Sequence, residues 1–216
     1  GHFIGKNTGS AIPVVQGLPS GIDEDRLKAL GAAAASSGSV GMFHVVGVTP
    51  EAATLEDAFQ GDTPREVIDV TIEKIIKSRD ELSTVSNSRI GAVSLGTPHY
   101  SIHEIEKLFQ LIDGNSINPE VKFYVSTGRD VLTEASLRGL VKPLEEAGVI
   151  FVTDTCTYIT PIIEDIARPV VTDSAKWAYY APGNLGVDVI FAAVEDCVAS
   201  AISGSVSVDS KIWSGA

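Results

Sequence analysis

Short, almost wholly apolar runs recur along the chain and alternate with longer stretches in which apolar residues return at helical spacing. The runs cover residues 11–16, 41–47, 90–95, 121–126, 149–153, 170–172 and 187–192. Runs without the in–out alternation of a half-exposed strand suit strands buried on both faces. Between them, Thr63-Pro64-Arg65-Glu66 offers an N-cap threonine, a proline at the first helical position and a glutamate placed to bond back to the cap. Ile68, Ile72, Ile75 and Ile76 then fall on one face, which predicts a helix from Pro64 onward. Ser101 and Glu104 form a second capping box, followed by Ile102, Ile105, Leu108, Phe109 and Ile112 at helical spacing before Gly114. Further helices are predicted over 23–37, closed by Gly38, and over 130–147 with breaks at Gly139 and Pro143. Two more start at Ser174, ended by Pro182-Gly183-Asn184, and at Val194. The βα order predicts an α/β fold of three layers, a mostly parallel sheet flanked by helices. Residues 1–216 are read as a single α/β domain.

Composition narrows what such a fold can serve. With 44% hydrophobic and 20% charged residues the chain can build a core. Its 16 Lys and Arg against 28 Asp and Glu leave a net charge of -12, which repels nucleic acid and anionic membrane surfaces. Cys156 and Cys197 cannot make a disulfide framework, which points to a reducing, cytoplasmic setting. The apolar stretch 187–194 is too short to span a bilayer and is interrupted by Asp188. Gly1 is not a natural translation start, so the chain is expected to be part of a longer protein, and no signal peptide stands at its start. Gly5, Gly9 and Gly17 do not form a dinucleotide-binding fingerprint.

In open parallel sheets, ligands gather beyond the carboxyl ends of the strands. The residues there are Thr97-Pro98-His99-Tyr100-Ser101, Ser126-Thr127-Gly128-Arg129, Asp154-Thr155-Cys156-Thr157 and Thr172-Asp173-Ser174-Ala175-Lys176. His99 could transfer protons or orient an acid; its plainer role is a loop histidine bonded to backbone. Arg129 could hold a carboxylate with its planar fork, with Ser126 and Thr127 adding hydroxyls, or make a surface ion pair. Cys156 could be a stabilised thiolate or metal ligand, although chemistry alone favours a small buried thiol. Lys176 falls in the first turn of a predicted helix, where a cation is unfavourable unless it faces an anion. His44, His103 and Cys197 read as structural, and Trp177, Tyr179 and Tyr180 as packing residues.

Several segments together resemble the aconitase X family. They are GLPSGIDEDRLKALGAAAASSGSVGMFHVVGVTPEA (17–52), LGTPHYS (95–101), VSTGRDV (125–131), VIFVTDTC (149–156), TDSAKWAYYAPGNLGV (172–187) and EDCVASAISG (195–204). The resemblance implies an aconitase-like fold and a hydro-lyase carrying out metal-dependent dehydration of a small hydroxy acid. The implied substrate is cis-3-hydroxy-L-proline, with mevalonate 5-phosphate as the alternative; a noncatalytic anion-binding α/β module is the reading of a different class. It also implies an iron centre, an iron–sulfur cluster or mononuclear iron, with Cys156 as ligand and the other ligands upstream. Ser174, Lys176 and His99 map onto catalytic positions, and Thr97, Ser101, Thr127, Arg129 and Thr155 onto substrate-binding ones. Some members carry cysteine where Thr97 stands, and DSAK replaces an expected NSGK, so Ala175 occupies a glycine position. An N-terminal catalytic half and a small swivelling domain are the implied partners, without which the chain is expected to be inactive.

Overall fold

The computed structural model describes residues 1–86, 89–163 and 167–208. Where the sequence reads as one domain, the chain folds into two compact units, Gly1–Arg79 and Asp80–Ala216. The apolar runs at 11–16 and 41–47 do not join the large sheet. They shrink to β1 (Val14–Val15) and β2 (His44–Val45), which pair in parallel, Val14 opposite His44 and Val15 opposite Val45. Gly17 and Gly47, both at positive φ, turn the backbone out of the ladder soon after each strand.

The first unit also holds α1 (His2–Thr8), α2 (Glu24–Gly38), α3 (Leu55–Phe59) and all but the last residue of α4 (Ile72–Asp80). Asp23 caps α2 by accepting from Arg26 N at 2.8 Å, and Glu24 and Asp25 complement the helix dipole. The helix predicted from Pro64 begins instead at Ile72. Val67-Ile68-Asp69-Val70-Thr71-Ile72 is dense in β-branched residues, which lose χ1 freedom in a helix. The apolar stripe also lacks a core to pay for nucleation: Ile72 and Ile75 are 50% and 39% exposed, and Ile68 and Ile76 are only partly buried. Thr71 takes the capping role, its hydroxyl 3.4 Å from Lys74 N.

The second unit is built on a parallel five-stranded sheet. Its elements are β3 (Ala92–Tyr100), α5 (Ile102–Ile112), β4 (Lys122–Thr127), α6 (Arg129–Leu137), α7 (Val141–Ala147), β5 (Val149–Thr153), β6 (Val170–Thr172), α8 (Ala175–Leu185), β7 (Val189–Phe191) and α9 (Val194–Ser203). The order across the sheet is β5-β4-β3-β6-β7, and every ladder in it is parallel. Alternate residues of each strand face opposite layers. Val93, Leu95, Phe123, Val125, Val149, Val171 and Ile190 pack with α5, α6, α7 and α9. Ala92, Tyr124, Val152, Val170 and Val189 pack with Trp177, Ala178 and Ala181 of α8 and with Tyr158 and Ile163. Three layers result, as the sequence predicts.

Local breaks differ from expectation in two places. Gly139, at φ 76°, separates α6 from α7, but Pro143 sits in the first turn of α7, where its missing N–H leaves no bond unmade. Pro182 likewise does not end α8. The buried face of Trp177, Ala178 and Ala181 carries the helix through to Leu185, and Gly186 closes it at φ 68°. The predicted strand 90–95 is longer than expected, running on to Tyr100 after an irregularity. Gly96 has φ 81°, and a Cβ there would sit 2.9 Å from Ser126 N, so only glycine lets the two strand ends approach. Pairing lapses after Leu95 and resumes with Tyr100 opposite Thr127.

Candidate active site

From the central β3 the chain winds outward through β4 and β5, then crosses to the other side of β3 for β6 and β7. The strand order therefore reverses between β3 and β6, the kind of switch point at which open α/β sheets bind ligands beyond the carboxyl ends of their strands. Two sequence segments singled out above, Thr97–Ser101 and Thr172–Lys176, meet there. Ser174 Oγ donates to the Thr97 carbonyl oxygen and accepts from Trp177 N at 3.0 Å, so Ser174 is both the N-cap of α8 and the clasp on β3. Thr97 Oγ1 is buried and finds no hydrogen-bond partner among the described residues, and the same holds for Ser126 Oγ at the end of β4. Such orphaned hydroxyls at strand ends call for a ligand or water.

His99 joins this segment to the loop after β5. Its Nε2 lies 3.2 Å from the Thr155 carbonyl oxygen. A carbonyl only accepts, so Nε2 is the donor in this contact. Thr155 Oγ1 in turn lies 2.5 Å from Thr160 Oγ1. Cys156, a free and half-buried thiol, stands in the same loop, with its carbonyl oxygen accepting from Ile159 N and Thr160 N.

Other predicted residues have structural work. Ser101 caps α5 in the expected box, accepting from Glu104 N at 3.2 Å while Glu104 Oε2 accepts from Ser101 N at 2.9 Å. Thr127 Oγ1, fully buried, donates to the Tyr100 carbonyl at 2.7 Å and re-ties β3 to β4 after the irregularity. Arg129 pairs with Asp154, through its backbone N at 3.0 Å and its side-chain Nε, and remains 78% exposed. The Arg129 backbone and guanidinium bonds hold the Asp154 carboxyl below the usual carboxylate range. Lys176 is half-buried and has no carboxylate partner among the described residues.

Sequence reasoning missed a pair at the same strand ends. Tyr100 OH donates to Asp173 Oδ2, joining β3 to the loop after β6. Burial pushes the Asp173 carboxyl up to about 6 against the lowering effect of that bond, with Glu104 adding a further rise. Burial also raises the Tyr100 phenol. The signal was present in the sequence only as two polar residues beside flagged positions.

The chemistry expected of iron does not arise from these residues alone. Among the described residues no three His, Cys, Asp or Glu side chains converge in a way that could hold a metal ion, so Cys156 is a single donor. No described helix is long and apolar enough to cross a membrane.

Strand order, with its switch point between β3 and β6, defines a doubly wound α/β protein. Residues 90–203 match the aconitase X third domain and residues 1–80 the aconitase X second domain. The chain belongs to the aconitase X family. It is 39% identical over 216 residues to a cis-3-hydroxy-L-proline dehydratase of Pseudomonas aeruginosa, an alignment covering 99% of this chain and 37% of that protein. It is 38% identical over 194 residues to the phosphomevalonate dehydratase large subunit of Methanothermobacter thermautotrophicus, covering 88% of this chain and 46% of the relative. The crystal structure of Thermococcus kodakaraensis aconitase X in its holo form superposes with a TM-score of 0.81 at 27% identity, over 93% of this chain and 50% of that one. The chain thus spans half or less of the length of each of these three proteins.

Proposed function

We propose that this chain supplies the second and third domains of a cytoplasmic aconitase X hydro-lyase that removes water from cis-3-hydroxy-L-proline. The observation that carries the reading is the correspondence, at 39% identity across 99% of the chain, with a dehydratase of that substrate. Charge at the strand ends supports the choice over a phosphorylated acid. Arg129 is engaged by Asp154, which leaves Lys176 as the cation without a carboxylate partner among the strand-end residues described. One carboxylate suits that supply better than a carboxylate and a phosphate.

Dehydration needs a base for the proton beside the carboxylate and an acid for the departing hydroxyl. In this reading Lys176 binds the substrate carboxylate, and Ser174, at the switch point, serves as the base. It does so only as the alkoxide, after the proton it donates to the Thr97 carbonyl has passed to solvent; Trp177 N then remains a donor to the Ser174 oxygen. His99, held by its Nε2 donation to the Thr155 carbonyl, supplies the proton for the departing hydroxyl. Thr97, with its unpartnered hydroxyl, contacts the substrate directly; Ser101, Thr127, Arg129 and Thr155 frame the site. Cys156 is the one thiol available there to an iron centre, whose other donors belong to the remainder of the protein. An N-terminal catalytic part and a small swivelling domain complete the site, so the 216-residue chain alone is inactive.

Assay of the full-length protein against cis-3-hydroxy-L-proline and mevalonate 5-phosphate tests the reading. Turnover of the imino acid, lost in Lys176→Ala, is expected. Turnover of the phosphorylated acid alone overturns the substrate assignment, and turnover by the 216-residue chain alone overturns the need for partners.

A further inference from the structure

Cys156 is followed by Thr157, whose side chain is fully buried and carries no chemistry of its own. Its hydroxyl makes two contacts. Trp177 Nε1 lies 2.8 Å from Thr157 Oγ1, and because an indole N–H only donates, the threonine accepts there. Ser94 Oγ lies 2.7 Å away, so the Thr157 proton is available to it. Ser94 belongs to β3 and Trp177 to the first turn of α8.

From these two residues the bonds continue and close. The Ser94 carbonyl accepts from Thr172 Oγ1 at 2.6 Å, and Thr172 Oγ1 accepts from Ser174 N at 3.1 Å. Ser174 Oγ accepts from Trp177 N at 3.0 Å, which returns the circuit to the indole bonded to Thr157. Ser94, Thr157, Thr172, Ser174 and Trp177 are all buried. A buried polar ring with every member satisfied fixes its members relative to one another, because breaking one bond strands a donor or acceptor away from water.

We infer that Thr157 is a positioning residue of the dehydratase, pinning the Cys156 loop to the start of α8 and so setting where the thiol stands relative to Ser174 and Lys176. This rests on the function proposed above, since it assigns the pinned residues to one reaction. Valine at position 157 matches threonine in shape but strands Trp177 Nε1 and Ser94 Oγ, so the loop must move or admit water. Serine restores the hydroxyl.

The test uses the full-length protein treated with chelator and then iodoacetamide, with Cys156 and Cys197 followed separately by peptide mass spectrometry. Cys197 is fully buried in the opposite layer and serves as the internal control. In Thr157→Val, alkylation of Cys156 is expected to rise about fivefold or more with Cys197 still protected. Thr157→Ser should return the wild-type rate. With substrate, the same Thr157→Val variant should lose about tenfold to a hundredfold in kcat with KM little changed. Equal Cys156 rates in folded Thr157→Val and wild type overturn the inference. Should Thr157→Val expose both thiols, which marks general unfolding, Trp177→Phe decides instead: it removes one bond and keeps an aromatic ring, and an unchanged Cys156 rate there overturns the inference equally. If even the wild type turns over no hydroxy acid, the dehydration reading fails, and the alkylation arm still decides whether Thr157 pins the loop.

Discussion

Asp173 is the carboxyl whose ionisation this fold resists. Burial raises it to about 6, and the bond from Tyr100 partly offsets the rise. An unfolded aspartate titrates near about 3.9, so between these values the native state holds the proton more tightly than the unfolded chain does. The stability Asp173 contributes is therefore full below about pH 4 and is lost as pH rises through about 6. Asp173→Asn should flatten that part of the Tm–pH curve, measured by thermal melts from acid to neutral pH; an unchanged slope would count against the assignment. Removing the phenol in Tyr100→Phe deletes an interaction that favours the carboxylate, so it should move the Asp173 titration further upward, as read by carboxyl NMR. The sequence places Tyr100 and Asp173 at strand ends but gives no sign that they meet, because 73 residues separate them and no local period links them. Ser174, by contrast, is legible as a cap from its own neighbours, although its clasp on Thr97 is not. Thr157 illustrates the same limit: its two partners lie 63 and 20 residues away.

Helices show where a local signal is enough and where it is not. Both Ser101 and Thr63 head a capping pattern followed by an apolar stripe, yet only the first forms the predicted helix. The stripe of α5 buries Ile105, Leu108 and Ile112 in the main core, whereas Ile72 and Ile75 remain about half and two-fifths exposed. A cap worth about 1 kcal/mol cannot nucleate a helix whose apolar face has nowhere to go. Ser101→Ala should accordingly cost about 1 kcal/mol in urea unfolding with an unchanged m-value, and Ser101→Asp should recover most of it. If Ser101 also touches substrate, the aspartate variant will be stable yet impaired in turnover, which separates the two roles. Thr63→Ala should stay within about 0.5 kcal/mol of wild type, because no described helix begins at that residue. A loss near 1 kcal/mol there would mean that the predicted cap operates after all. Strands were more legible than helix ends: five of the apolar runs stand within a few residues of their places in the parallel sheet, since burial on both faces leaves little choice of residue.

At the scale of the molecule, the division into Gly1–Arg79 and Asp80–Ala216 was hidden by the very pattern that revealed the fold. Apolar runs look alike whether they join a five-stranded sheet or a two-stranded one, and pairing partners are chosen by contacts far apart in sequence. The second unit, however, can be judged on its own terms. Every residue in its two core clusters, from Leu82 to Ala201, lies within that unit, including the partly buried residues packed around them. A sheet covered on both faces by its own helices has no unmet apolar face to collapse. Residues 80–216 expressed alone should therefore fold and unfold in one cooperative transition, with coincident far-UV and near-UV curves, the latter reporting the environment of buried Trp177 when measured in a Trp213→Phe background. An m-value appropriate to its size is expected, since m follows the surface exposed on unfolding. Early loss of the near-UV signal with far-UV signal retained would instead mean that the packing of Trp177 against Thr157 and Ser94 depends on residues outside the unit. The position of the Cys156 loop would then be a property of the larger assembly rather than of this sheet.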